Sequence, residues 1–229
     1  MTKSEAINKL VNAAAGEIGY KAKKGKENKF AAYLDSIPNY YNGPKNAEGW
    51  GADWCDIFVD YMFLKTFGNP QGRKMLYQSE KSAGAGCEFS ANYFANNGAL
   101  SPDPQKGAQG FLGKRGDEYH TGIVESYDAT TVTMIEGNAG GGNGEVKRIT
   151  RNRSEFSGFG IPNWGLVVNS TPEPAPEIEK RIDSIAFQLA EKAKGVFRGE
   201  YGNGTDRVRR LGQYYDPVQW IVNKVISMK

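Results

Sequence analysis

Two cysteines, Cys55 and Cys87, and a single histidine, His120, are the scarce reactive side chains in a chain of 229 residues. A zinc site needs about four Cys, His or carboxylate ligands, and the sequence has no CxxC or HxxxH pairing. Structural zinc is therefore nearly excluded, and thiol chemistry remains. Cys55 opens the run Trp54-Cys55-Asp56-Ile57-Phe58-Val59-Asp60-Tyr61-Met62-Phe63, in which Ile57, Phe58, Tyr61 and Met62 are spaced as one face of a helix. A thiol at a helix start feels the positive end of the helix dipole, which favours the thiolate. The thiolate is a nucleophile, but it needs a base to take its proton and return it to a leaving group. That base needs an orienting partner in turn, and the base can only be His120.

The elements around His120 supply such a partner. His120-Thr121-Gly122-Ile123-Val124-Glu125-Ser126 and Thr131-Val132-Thr133-Met134-Ile135-Glu136 are rich in β-branched residues, with Tyr127-Asp128-Ala129-Thr130 as the turn of a hairpin. If Ser126 pairs with Thr131, His120 falls opposite Gly137. Glu136 and Asn138 then flank the imidazole, and both residue types accept a hydrogen bond from a ring N–H. Upstream, Ile7, Leu10, Val11, Ala14 and Ile18 predict an opening helix, with Thr2 and Glu5 at capping-box spacing. Val146–Thr150 and Trp164–Val168 read as further strands. Helices first and an antiparallel sheet second predict an α+β domain.

The stretch Ser170-Thr171-Pro172-Glu173-Pro174-Ala175-Pro176-Glu177 alternates proline with small or acidic residues and favours extended polyproline II. It reads as a linker over 170–179, between a domain at 1–169 and a small one at 180–229. The formal charge of +3 lies wholly in residues 177–229, which hold ten Lys or Arg against seven Asp or Glu. So small a charge argues against nucleic acid. No run approaches the ~18 apolar residues of a membrane span, so no membrane insertion is expected. Met1–Ala6 begins no long apolar segment, so no secretory signal is expected. In the small domain, Ile182, Ile185, Ala186, Leu189, Ala190 and Ala193 mark one helix. Thr205 is placed to cap a second, which carries Val208 and Leu211. Asp216-Pro217 signals the start of a third, with Val218, Ile221, Val222, Val225 and Ile226 as its apolar face. The expectation is a three-helix bundle, small enough to be only marginally stable.

Gly51-Ala52-Asp53-Trp54-Cys55-Asp56-Ile57-Phe58-Val59, His120-Thr121-Gly122-Ile123-Val124-Glu125 and Ile135-Glu136-Gly137-Asn138 together resemble the CHAP domain. This is the cysteine, histidine-dependent amidohydrolase/peptidase module of the papain-like NlpC/P60 superfamily. Weaker matches extend the resemblance over about residues 5–168: Ser82–Cys87, Tyr93-Phe94, Gly158-Phe159-Gly160 and Pro162-Asn163-Trp164. The resemblance implies cleavage of peptidoglycan amide bonds through an acyl-thioester. It makes Cys55 the nucleophile, His120 the base, and Glu136 and Asn138 the orienting and polar-support residues. It implies no cofactor.

The chain departs from the family pattern at three points. Gly107-Ala108-Gln109 replaces the usual Gly-Asp pair. The loop Gly43–Trp50 lacks the alternating carboxylates that hold calcium in some relatives. Gly49 stands where papain has its oxyanion glutamine, so the Cys55 backbone N–H needs another donor beside it. Cys87 has no second histidine to serve it and reads as structural. Trp50 and Trp54, beside the nucleophile, either line a substrate cleft or pack. Gly140–Gly144 lacks a following Lys-Ser/Thr and is no P-loop.

Tyr201-Gly202-Asn203-Gly204, Arg207, Arg210-Leu211-Gly212, Tyr215-Asp216 and Val218–Asn223 resemble the CW_7 cell-wall-binding repeat. That resemblance implies peptidoglycan binding, with Gly202, Asn203, Gly204, Arg207 and Arg210 as candidate contacts; the bland reading is an interhelical turn and a solvated basic face. CW_7 repeats usually occur in tandem, and one weak copy gains avidity only if the chain forms a homo-oligomer. The combination looks like a bacteriophage endolysin, made in the host cytoplasm and reaching the wall after membrane permeabilisation. The expected activity is an N-acetylmuramoyl-L-alanine amidase, with a D-alanyl endopeptidase as the nearest alternative. A non-catalytic wall-binding protein and an intracellular cysteine protease are the rivals from other classes.

Overall fold

Thr2 begins the first helix by the capping box that its spacing to Glu5 predicts. Its hydroxyl accepts from the Glu5 backbone N–H (3.1 Å), and the Glu5 carboxylate accepts from the Thr2 N–H (2.8 Å). The computed structural model describes residues 1–38, 40, 53–79, 86–168 and 177–227; in 177–184 the backbone alone is described. The chain divides into two units, Met1–Ser170 and Thr171–Lys229.

The first unit is α+β. Its helices are α1 (Lys3–Ala15), α2 (Lys29–Asp35), α3 (Cys55–Phe67), α4 (Gln71–Met75) and α5 (Cys87–Asn96). Its strands are β1 (Leu100–Ser101), β2 (Gln109–Lys114), β3 (Asp117–Tyr127), β4 (Thr131–Ala139), β5 (Glu145–Asn152) and β6 (Phe156–Gly160). They form one antiparallel sheet in the order β1-β6-β2-β3-β4-β5. The pleat sorts side chains between its two faces. Phe111, Ile123, Ile135 and Val146 join the helices in the main core. Leu112, Val124, Val132, Met134 and Phe159 form a second cluster.

Helix α3 is the centre of this unit. It contacts α1, α2, α4, α5, β3 and β4. Every residue from Cys55 to Leu64 is buried, so this stretch of the helix has no solvent face. The one-faced pattern read from sequence understates this, because Asp56 and Asp60 look like solvated positions. They are buried with partners instead: Asp60 accepts from Gln78 Nε2 (2.7 Å), and Asp56 holds three donors. Burial without such bonds would cost far more than a surface position.

Three local readings need correction. The predicted helix face reaches Ile18, but α1 ends at Ala15 and Ile18 is exposed. The hairpin register differs from the one-turn count. Ile123 faces Ile135 and Val124 faces Met134, and an irregularity then shifts Ser126 to Thr133. The tight end is set by Asp128, whose carboxylate takes the N–H groups of Thr130 and Thr131 (2.7 Å each). Trp164–Val168 is not a strand: Trp164–Leu166 is a single 3-10 turn, and the indole is buried beside Phe63 and Phe67. A short apolar run cannot by itself declare which structure buries it.

The second unit holds α6 (Glu177–Phe197), α7 (Gly204–Leu211) and α8 (Tyr215–Ser227). Helix α6 begins inside the span read as linker; residues 170–176 lie outside the described residues. Its core is Ala193, Val196, Leu211, Val218 and Val222. Asn203, not Thr205, occupies the cap of α7. Asp216-Pro217 falls within the first turn of α8, where a missing N–H costs no helical bond. Val225 and Ile226 are exposed, so the apolar face of α8 ends a turn early. Among the described residues, no helix is long and apolar enough to cross a membrane.

Candidate functional site

Cys55 is the first residue of α3, and the loop-to-helix transition is fixed by Trp54, whose side chain is fully buried. The indole stacks on Phe30 (centroids 5.4 Å apart) and donates Nε1–H to the Asn143 carbonyl (3.1 Å). Trp54 therefore lies in the core and lines no cleft, because its ring fills the space under the helix start. Trp50 lies outside the described residues. Gly137 lets β4 approach this point: a Cβ there would stand 2.4 Å from Phe58 Cβ and 2.8 Å from the Trp54 ring. The Glu-Gly-Asn motif thus carries a glycine because helix and strand touch at backbone distance.

His120 and Glu136 meet across the hairpin, with Nε2 2.8 Å from Glu136 Oε2. This leaves Nδ1 as the ring nitrogen available to Cys55, whose interaction with the imidazole is among the causes that raise His120. Glu136 is fully buried and is gripped by Arg151 through Nε to Oε1 (2.8 Å) and Nη2 to Oε2 (2.7 Å). Burial alone would raise the carboxyl pKa; the Arg151 bonds, then His120, outweigh it and hold Glu136 below its ordinary range. Burial also opposes charge on His120, yet hydrogen bonds from Cys55 and Glu136 raise it to about 9.

At Cys55 the largest influence is the hydrogen bond shared with Cys87. His120 adds a hydrogen bond and its charge, and the Asp56 backbone N–H adds another; together they overcome burial and lower the thiol to about 5. Between these two values the shifts favour a thiolate beside an imidazolium.

Asn138 does not meet the imidazole. Its side-chain N–H donates to Asp53 (2.9 Å), whose carboxylate also pairs with Lys26. Lys26 first, then Asn138, hold Asp53 below its usual range. Asn138 has φ of 55°, a left-handed conformation that asparagine tolerates better than most residues.

The residues missed from sequence are Arg151, Asp56 and the partnership of Cys87. Cys87 is the first residue of α5, and its sulfur lies 3.6 Å from that of Cys55. Asp56 sets this spacing: its carboxylate accepts from the Gly86 N–H (2.9 Å), Ser90 Oγ (2.9 Å) and Gln109 Nε2 (2.8 Å). Burial and the neighbouring Cys55 charge raise Asp56 to about 7 against the pull of these bonds. Gln109 thus uses its amide on α3. Among the described residues, no group of three or more His, Cys, Asp or Glu is arranged to hold a metal ion.

In the second unit, Gly202, Asn203 and Gly204 form the turn into α7, with φ of 66° at Gly202 and 56° at Gly204. Arg207 is committed to that turn: it donates to the Gly202 carbonyl (3.0 Å), Asn203 Oδ1 (2.9 Å) and Gln219 Oε1 (3.2 Å). Arg210 donates one bond, to the Glu200 carbonyl (3.1 Å). Of the two arginines, Arg210 has the more donors left for a ligand.

Residues 191–226 match the family described as the CW_7 repeat. The match supports a cell-wall-binding module in the second unit. No curated protein matches the chain. A solved structure, described as the crystal structure of Ly7917, aligns at 15% identity with a TM-score of 0.41; the alignment covers 68% of this chain and 62% of that one. The chain thus spans less than two thirds of that structure's length.

Proposed function

We propose that this chain is a peptidoglycan hydrolase that cleaves an amide bond by Cys–His nucleophilic catalysis, with a papain-like CHAP domain followed by a wall-binding three-helix bundle. The observation that carries the reading is Cys55 at the start of α3 with His120 held by Glu136 and Arg151, their pKa shifts favouring a thiolate and an imidazolium, in a chain that also holds a CW_7 repeat. In this reading Cys55 Sγ attacks the amide carbonyl, and the Cys55 backbone N–H at the start of α3 stabilises the oxyanion. His120 passes its proton to the leaving amine. The acyl-thioester then yields to a water whose proton His120 accepts.

The preferred bond is that between N-acetylmuramic acid and L-alanine, and the alternative is a D-alanyl cross-link. The biological setting is that of an endolysin, released from the host cytoplasm to the wall once the membrane is permeabilised. The test is turbidity loss of purified walls with the parent protein and Cys55→Ala, followed by mass spectrometry of the fragments. The variant is expected to lose about 10³-fold or more. A new L-alanine amino terminus identifies the amidase, and a new D-alanine carboxyl terminus the endopeptidase. Walls bound but left intact by the parent protein would make this a non-catalytic wall binder.

A further inference from the structure

We propose that Cys55 and Cys87 form a reversible disulfide that switches off the Cys55 nucleophile, with hydrogen peroxide as the oxidant. The proposal deepens the function above, since it regulates the same site. It stands first on geometry. The two sulfurs are 3.6 Å apart and need to close by about 1.5 Å to reach a disulfide bond of about 2.05 Å. Each cysteine is the first residue of its helix, on α3 and α5. The Asp56 carboxylate ties those two helix starts together through Gly86 and Ser90. The chain has no other cysteine to compete.

The two thiols are also divided in role. Cys55 is held toward the thiolate by Cys87, His120 and the backbone. Cys87 is pushed up, first by its hydrogen bond to Cys55 and then by burial, so it keeps its proton. Cys55 is thus the sulfur that peroxide oxidises, and because its hydrogen bond and negative charge are causes of the raised Cys87 pKa, its oxidation removes them and lets Cys87 ionise and attack as the thiolate. Both residues are nearly closed to solvent, at 3% and 7% exposure, which suits a small oxidant.

The steps balance. The Cys55 thiolate attacks one peroxide oxygen, the O–O bond breaks, and the hydroxide that leaves takes from the His120 imidazolium the proton that Cys55 had given up, and departs as water; Cys55 is now a sulfenic acid. Cys87 then attacks the Cys55 sulfur, the S–O bond breaks, and hydroxide leaves with the Cys87 proton as water. Two thiols and one peroxide give one disulfide and two waters. A dithiol such as dithiothreitol reverses the change by two exchange steps and leaves as its own cyclic disulfide.

The experiment treats the full-length protein with hydrogen peroxide, then counts thiols in denaturant with a maleimide and measures the intact mass. The expected result is loss of both thiols, a mass lower by two hydrogens, and a cross-linked Cys55–Cys87 peptide in a non-reducing digest. Wall lysis should fall in proportion to the fraction oxidised and return with dithiothreitol. In Cys87→Ser, peroxide should leave a dimedone-reactive sulfenic acid that proceeds to irreversible oxidation. If that variant does not fold, the peptide map of the parent protein decides alone. Two thiols surviving peroxide, a stable sulfenic acid in the parent protein, or a disulfide only between two chains would overturn the proposal. The thiol count and mass do not depend on lysis. Failure of the hydrolase reading, with Cys55→Ala lysing like the parent, therefore registers separately.

Discussion

The two units handle charge in opposite ways. In the first, ionisable groups sit inside and hold one another. Glu136, Asp56 and Asp60 are essentially unexposed, each with polar partners set by tertiary packing. In the second, the core is five small or branched apolar residues, and charges pair locally on the surface, as in Lys194–Glu191, Arg198–Glu200 and Arg209–Asp206. Buried charges shift pKa and prepare chemistry at the expense of stability, whereas exposed pairs change little of either. This contrast dictates where substitutions should hurt.

The largest effect should come from pH. If the buried pair does the chemistry, kcat/KM rises through about pH 5 as Cys55 loses its proton and falls through about pH 9 as His120 loses its own. Outside those limits it should fall about tenfold per pH unit, and the limits belong to the pair jointly. A rate that keeps climbing past pH 9 would mean an ordinary thiol, with no imidazolium beside it.

Arg151→Gln comes next. It leaves Glu136 buried with His120 as its remaining charged partner, and thermal unfolding should register a loss of about 1.5–3 kcal/mol. Loss of the guanidinium charge should raise the Glu136 carboxyl and, beside it, His120, so the alkaline limb of the pH profile should move upward. Arg151→Lys should restore part of this but not the two-pronged grip. An unchanged pH profile in Arg151→Gln would reduce Arg151 to a surface ion pair.

Gly137→Ala tests the close approach of β4 to the Phe58 and Trp54 side chains. The added methyl has nowhere to go between Phe58 and Trp54, and overpacking of this kind costs about 1–3 kcal/mol. Activity should fall with stability, since the displaced helix carries Cys55. Full activity with native melting would show that the helix start can shift without harm.

The smallest effect separates two arginines of the second unit. Arg207→Ala should loosen the turn before α7 by about 1–2 kcal/mol, seen in unfolding of that unit. Arg210→Ala should leave unfolding nearly unchanged and weaken pelleting with purified walls. The reverse pattern would exchange their roles.

Much of the site was legible because it rests on residue types that are rare and on short-range spacing. Cys55 at a helix start and His120 facing Glu136 follow from one helix signal and one hairpin, and they tolerate the observed register shift. Arg151 was not legible. Strand pairing sets Lys147 opposite Glu136 and Arg151 opposite Val132, so counting along the hairpin points to the wrong cation. Arg151 nonetheless places its guanidinium on the carboxylate. For Asn138 the hairpin count missed Asp53, the side chain that it bonds.

The sequence by itself determined the capped first helix, the hairpin, the helix that begins at Cys55 and the turn rich in glycine before α7. Each depends on neighbours a few residues apart, where capping, periodicity and glycine chemistry act directly. Only the tertiary structure decided that Trp54 is core, that Asp56 ties α3 to α5 and β2, and that Cys87 lies against Cys55. Those outcomes join residues about thirty or more positions apart. No local pattern encodes them, because they follow from which faces must be buried together once the sheet and α3 have packed.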